Sequence, residues 1–220
     1  MKIQANHIKK VYRNGSNTCI ALQDINLSIQ EGEFVAICGT SGSGKTTLFN
    51  ILSGIDTEYD GQCFIDHTDI SKLYDSQLCA LRRDQIGVIY QFFNLLSFLT
   101  VEENMILSAQ LKKEKFKKSD VQILLNQLNL YPKRNNYVHQ LSGGQQQRVA
   151  IGRVLLSNPS IILADEPTGN LDSKNTTIVM ELFKELHQKG KTIVLITHDQ
   201  NVADYSDRIL YMSDGMLVSK

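Results

Sequence analysis

The sequence contains no run of about 20 apolar residues, the length a helix needs to cross a hydrocarbon core. The nearest stretch, 86–101, is interrupted by Gln91, Asn94 and Ser97. A membrane span formed by this chain alone is therefore not expected, and a role at a membrane has to come through a partner. The opening MKIQANHIKKVY lacks the apolar core of a signal peptide. A surplus of one charge is also missing. Twenty-three basic and 23 acidic residues cancel, which gives no overall cationic signature for nucleic acid. The densest basic cluster, Lys112, Lys113, Lys115, Lys117 and Lys118, includes Glu114 and reads as a solvated helix end. The four cysteines, Cys19, Cys38, Cys63 and Cys79, show no C-x-x-C spacing and have no nearby histidine pair. They are expected to be free thiols of a reducing cytoplasm rather than zinc ligands or disulfides, with Cys38 packed in an apolar run. Repeats, low-complexity segments and flexible linkers are likewise lacking.

What remains is an ordinary globular composition, 42% hydrophobic and 21% charged, in 220 residues. That length suits one large domain, or a core with a subdomain. Ile25, Leu27 and Ile29 alternate with polar residues, as in a half-exposed strand. FVAIC (34–38) is a continuous apolar run, as in a strand buried on both faces. Gly39 to Gly44 break the chain, and 45–52 read as a helix. Further buried strands are expected at 86–90, 160–164 and 192–197. Apolar strands spaced by helices predict an α/β fold with a parallel sheet covered on both faces. Between the second and third of these strands the pattern becomes helical. Thr100–Glu103 and Ser119–Gln122 read as capping boxes, and Ile123, Leu124, Leu125, Leu128 and Leu130 as a buried stripe. Residues 92–150 are thus expected to form a helical subdomain inserted in a single domain spanning 1–220. The C-terminal RILYMSDGMLVSK reads as a hairpin turning at Asp214-Gly215.

Gly39-Thr40-Ser41-Gly42-Ser43-Gly44-Lys45-Thr46 matches G-x-x-x-x-G-K-[ST]. Glycines let a backbone curl so that its N–H groups converge on phosphate oxygens, and the next helix adds its positive end. Lys45 is placed to reach the β- and γ-phosphates, and the Thr46 hydroxyl to bind Mg²⁺. A chance match in a chain this long is on the order of 1%, so the motif counts as strong. The strand IILADE ends in Asp165, a second Mg²⁺ ligand, followed by Glu166, a candidate general base for water. Two acids after an apolar strand mean little by themselves; a preceding phosphate loop gives them weight.

Leu141-Ser142-Gly143-Gly144-Gln145 offers a hydroxyl and glycine N–H groups where another helix begins. The chain thus has two anion-binding helix starts. One γ-phosphate uses both only if it is clamped from two sides.

With these motifs the sequence resembles the nucleotide-binding subunit of ATP-binding cassette (ABC) transporters over nearly its whole length. The resemblance implies a P-loop NTPase (RecA-like) core, an N-terminal antiparallel β subdomain and the inserted helical subdomain. It implies ATP and Mg²⁺ as cofactors, with ATP hydrolysis coupled to transport. In the family, the LSGGQ loop of one subunit closes over ATP held by the other, so Ser142, Gly143, Gly144 and Gln145 would act across a homodimer or pseudo-symmetric ATPase dimer. Gln91 matches the glutamine that senses Mg²⁺ and water, His198 the γ-phosphate histidine, Tyr12 the adenine-stacking aromatic, and Asp172 the loop linking two sites. Thr47 completes the phosphate loop. Plainer readings stand beside these: a polar strand end for Gln91, a core aromatic for Tyr12, a helix cap for Asp172.

The resemblance also implies an integral-membrane permease partner, a peripheral location on the cytoplasmic face, and no nucleic acid. Part of the apolar run Phe92, Phe93, Leu95 and Leu96 is expected to line a groove for the permease; the competing reading makes it core. GNLD and QFFNLL resemble the branch with lipoprotein-releasing, macrolide-exporting, cell-division and antimicrobial-peptide-resistance ATPases. Val138 departs from a common proline, and Gly152 and Val154 from the usual alanines; these read as packing changes. The extra C-terminal regulatory domain of many sugar-importer ATPases is not expected. A non-hydrolysing, nucleotide-dependent scaffold acting through a membrane partner is the alternative from another class. DNA-repair and translation-factor ABC proteins fit less well, lacking here a coiled-coil insertion or a second cassette.

Overall fold

The strands sort into two sheets according to their hydrophobic pattern. The computed structural model describes residues 1–15, 17–112 and 116–218. Among them, the alternating strands β1 (Ile3–Asn14) and β2 (Asn17–Ile29) join β4 (Asp60–Ile65) and β5 (Thr68–Asp69) in an antiparallel sheet ordered β2-β1-β4-β5. The continuous apolar runs form β3 (Phe34–Gly39), β6 (Ile86–Ile89), β7 (Ile161–Asp165) and β8 (Thr192–Thr197). With β9 (Arg208–Ser213) and β10 (Met216–Val218) they make a second sheet, ordered β10-β9-β3-β8-β7-β6. Its pairings are parallel except at the C-terminal hairpin, where Asp214 and Gly215 take φ of 49° and 75°. Both positions in the left-handed region are what a tight two-residue turn requires.

Alternate residues of the parallel strands enter different cores, as a period of two demands. Val35, Ile37, Leu163, Val194 and Ile196 pack with α1 (Lys45–Leu52) and the antiparallel sheet. Phe34, Ile162, Ala164, Ile193 and Leu195 pack instead with Val179, Met180 and Phe183 of α6 (Ser173–Gln188). Short helices α2 (Asp75–Asp84) and α7 (Gln200–Ala203) fill connections. A third core lies among α3 (Val101–Leu111), α4 (Lys118–Gln127) and α5 (Gly143–Leu156), built on Val101, Met105, Leu125, Leu128 and Val149.

Several local expectations shift. The Thr100–Glu103 capping box forms, with both residues bonded reciprocally. The expected box at Ser119–Gln122 does not: α4 starts earlier, and the Asp120 carboxylate accepts from the Lys117 N–H instead. Ile123 is 57% exposed, because only 121, 124, 125 and 128 share the inward face at helical spacing. The run after Gln91 divides as well. Phe92 is 77% exposed, whereas Leu95 packs against the third core. Cys38 and Cys63 are buried, Cys19 and Cys79 exposed, and no disulfide joins them. Burial, aided by Asp69, pushes the Cys63 thiol up to about 12. Of the basic cluster, 113–115 lie outside the described residues, and the Lys112 ammonium donates to the Ser157 carbonyl at 3.0 Å.

Two of the departures, Gly152 and Val154 of α5, have a packing cause. A Cβ on Gly152 would sit 2.6 Å from Met105 Cε and 2.9 Å from Leu128 Cδ1, so glycine there makes room for a bulky α3 side chain. A Cβ on Gly87 would meet Val154 Cγ1 at 2.4 Å, so Val154 occupies space that β6 leaves free.

One buried polar residue organises the approach to α3. Asn104 is fully buried, and its amide donates to the Leu96, Leu99 and Thr100 carbonyls at 3.0, 3.2 and 3.0 Å. Its Oδ1 accepts from the Leu96 N–H at 2.9 Å. Asn104→Leu keeps the volume but strands the Leu96 N–H and the Leu99 carbonyl, at about 1–3 kcal/mol for each left unpaired, while the Leu96 and Thr100 carbonyls still accept from the Leu99 and residue-104 backbone N–H groups. Urea unfolding followed by circular dichroism is expected to show a clearly lowered midpoint; an unchanged midpoint would contradict this account of the loop.

Candidate functional site

The phosphate loop begins where β3 stops. Gly44 takes φ 99° at the start of α1, and a Cβ there would lie 2.4 Å from the Ala21 carbonyl oxygen. At Gly39 a Cβ would lie 2.2 Å from the Met212 carbonyl oxygen. The loop is thus pressed against β2 and β9 at both ends, and only glycine fits. Lys45 is nearly buried and turns back over the loop, donating to the Gly39 and Thr40 carbonyls at 2.9 and 2.7 Å and lying 3.4 Å from Ser43 Oγ.

The loop floors a cleft of about 650 Å³ lined by Ser41, Gly42, Gly44, Lys45, Thr46 and Thr47, with Gln91, Asp165, Glu166 and His198 opposite. Tyr12, Cys19, Ile20 and Ala21 of the β1–β2 hairpin close its far end. Gly39, Thr40 and Ser43 are not part of the lining; Ser43 is buried, and its carbonyl accepts from the Gly215 N–H at 3.1 Å. Tyr12 is 44% exposed, which excludes the core reading.

Asp165 ends β7 and is buried; Thr46 Oγ1 lies 3.3 Å from its Oδ2. Burial pushes the Asp165 carboxyl above its ordinary value, and the charge of Glu166 adds to this against the pull of Thr46 and Lys45. Glu166 follows in the left-handed region at φ 47°, unusual for a residue with a side chain. That turn reverses the chain at the strand end while the Glu166 N–H still pairs with the Ile196 carbonyl at 2.9 Å. The Glu166 Oε1 lies 2.8 Å from His198 Nδ1, and the Thr197 hydroxyl stands 3.5 Å from Oε2. A carboxylate so placed, lining the same cleft as the phosphate loop, can accept a proton from a water attacking an oxyanion.

The remaining residues of the motifs are not brought together with the phosphate loop. Ser142 caps α5, exchanging bonds with Gln145 at 3.0 and 3.4 Å, and none of Ser142, Gly143, Gly144 and Gln145 lines the cleft. Asp172 caps α6, accepting from the Asn175 N–H at 2.8 Å, and this bond holds its carboxyl below the usual range. The plain reading of Asp172 is therefore realised.

Sequence reasoning missed the groups that hold the Gln91 segment. Gln147 donates to the Tyr90 carbonyl at 3.3 Å, Asn170 to that of Gln91 at 3.4 Å, and Arg153 to those of Asn94 and Phe93 at 2.7 and 3.4 Å. Gln147 and Arg153 both come from α5, six residues apart and fully or partly buried, a combination that polar residues rarely show without partners. The apolar cleft residues Cys19, Ile20 and Ala21 carried no sequence signal.

Comparison with known proteins agrees with this geometry. The family model described as ABC transporter matches residues 22–169. An uncharacterised ABC transporter ATP-binding protein of Methanocaldococcus jannaschii, MJ1508, is 44% identical over 218 residues, covering 98% of this chain and 97% of that one. The macrolide export ATP-binding/permease protein MacB of Neisseria meningitidis is 43% identical over 221 residues, but this chain spans only 34% of its length. Among solved structures, the dimeric post-hydrolysis state of the ATP-binding cassette MJ0796 bound to ADP and Pi superposes with a TM-score of 0.92 at 42% identity. That alignment covers 99% of this chain and 97% of the other. Motif, fold and relatives agree, and the chain belongs to the ABC transporter family as one of its ATP-binding cassettes.

Proposed function

We propose that this chain is the ATP-hydrolysing motor subunit of an ABC transporter, working in pairs on the cytoplasmic face of a membrane and driving a permease. The observation that carries the reading is the Glu166–His198 pair, 2.8 Å apart at the rim of the phosphate-loop cleft. ATP lies with its base on Tyr12 and its phosphates over Gly39–Thr47. Glu166 acts as general base on the attacking water, His198 orients it and meets the γ-phosphate, and Gln91 senses water and metal. The donors fit Mg²⁺: Thr46 Oγ1 and the Asp165 carboxylate are hard oxygens 3.3 Å apart, with the Gln91 amide across the cleft. Bound there, Mg²⁺ would neutralise phosphate charge during transfer.

Ser142–Gln145 does not line the cleft of its own chain, which supports a site completed by a second subunit. Two-fold symmetry then makes two shared sites, each with the helix starts of α1 and α5 on one γ-phosphate. Asp172 links them. Residues 92–150 act as a helical subdomain that moves on closure. Exposed Phe92, Leu96 and Phe98 lie on its loop, a fitting apolar contact for a permease helix. No helix of the described residues is long and apolar enough to cross a membrane.

Lys45→Ala is expected to lose most ATP affinity in equilibrium binding. Glu166→Gln should bind ATP, lose turnover by roughly 10²–10⁴-fold and accumulate as an ATP-bound dimer in size-exclusion chromatography. Near-normal turnover would remove Glu166 as the base. The shared site is checked in the Glu166→Gln background by cross-linking Ser41→Cys and Ser142→Cys with ATP present. Bonds between subunits are expected, and bonds only within one chain would refute the pairing. Phe92→Glu should leave the melting temperature and isolated ATPase rate near those of the parent while uncoupling hydrolysis from the permease. An unfolded variant would instead place Phe92 in the core.

A further inference from the structure

The base-stacking tyrosine is held from outside the cleft by a buried ion pair. Tyr12 lines the cleft, but Lys10 and Asp56 do not. The Lys10 ammonium is 5% exposed as a residue, pairs with Asp56 Oδ1 at 2.8 Å, and also donates to the Glu58 carbonyl. It stands 4.9 Å from the centroid of the Tyr12 ring, within reach of a cation–π contact. The second Asp56 oxygen accepts from the Tyr12 hydroxyl at 3.1 Å. The ring is thus fixed at its tip by a carboxylate and approached by a cation that does not enter the cleft.

Asp56 is itself anchored to the phosphate-loop helix. The N–H groups of Ile55 and Asp56 both donate to the Asn50 carbonyl, at 2.9 and 3.1 Å, near the last turn of α1. Lys45 and Thr46 stand in the first turn of the same helix. An eight-residue helix is about 12 Å long and rigid on this scale. The phosphate loop lies at one end of it, and the hold on Tyr12 at the other.

We infer that Lys10 and Asp56 are positioning residues that pre-set the Tyr12 ring for the nucleotide base, using α1 as the spacer between base and phosphates. The inference rests on the reading of Tyr12 as the base platform. A side chain already held in its bound orientation loses less freedom when the base arrives. Releasing it weakens nucleotide binding by about two- to tenfold, the worth of one immobilised side chain. A ligand without a base gains nothing from the arrangement.

The test compares ADP, which carries the base and is not hydrolysed, with inorganic tripolyphosphate, which has none, by displacement of a fluorescent nucleotide. Asp56→Asn and Tyr12→Phe are each expected to weaken ADP about two- to tenfold and leave tripolyphosphate at the parent value. Tyr12→Phe keeps the buried ion pair, so it remains informative where Asp56→Asn unfolds the chain. In a Tyr12→Ala background, adding Asp56→Asn should weaken ADP no further, because Asp56 acts through the ring. Equal weakening of ADP and tripolyphosphate would overturn the inference, as would parent-like ADP binding by Tyr12→Phe or an additive loss in the double variant. Two failures remain distinguishable. If Tyr12→Ala weakens ADP while the Phe and Asn variants do not, the platform stands and the positioning is wrong. If Tyr12→Ala binds ADP like the parent, the platform reading falls and takes the inference with it.

Discussion

Backbone hydrogen bonds pair Cys38 with Thr197 and Asp165 with Ile196, and this parallel ladder sets the height at which three chain segments leave the sheet. β3, β8 and β7 lie side by side, so Gly39, His198 and Glu166 emerge together at one edge. Open α/β sheets place ligands at the carboxyl ends of such strands, since the loops there are free to differ while the strands stay buried. A one-residue slip in either pairing would exchange the two buried faces, putting Ile196 and Leu195 each in the other's core. The apolar packing on both sides therefore fixes the register, and the register fixes the spacing of phosphate loop, carboxylates and histidine.

Around that edge, polar contacts tie neighbouring segments to the helices. The Gln91 segment has carbonyls held by Gln147 and Arg153 of α5 and by Asn170 of the loop after Glu166. The segment that brings Gln91 to the cleft is thus bonded to the helix that carries Ser142 at its start. Asn104 does similar work one step further on, pinning 96–100 to α3. Bonds of this kind are individually modest but costly to leave unmade once buried.

The packing between α5 and its neighbours shows how a family pattern tolerates exchange. Gly152 gives space to Met105 and Leu128, and Val154 fills space over Gly87. Interiors are close-packed, so volume removed at one position is matched by volume added at another. The helix keeps its place, and with it the position of the Ser142 cap, although two of its residues differ from the usual small ones.

Much of this site could be read from contiguous residues. Gly39–Thr46, the pair Asp165-Glu166, and Leu141–Gln145 each do local work: a glycine turn, a strand end, a helix cap. Local backbone requirements leave local sequence marks, and the buried strands announced themselves by apolar runs for the same reason. The parallel core and the clustered helices followed from those patterns, whereas the antiparallel sheet was implied by the family resemblance alone. The exposure of Ile123, the split fate of Phe92 and Leu95, and the true start of α4 did not, because helical phase and burial depend on what a segment packs against. Nor did the pairings of distant residues. Thr46 meets Asp165 across 119 positions, and Tyr12 meets Asp56 across 44. No local pattern encodes such contacts. They exist because the sheet register and the rigid α1 bring side chains to one place, and only the tertiary structure decides which side chains those are.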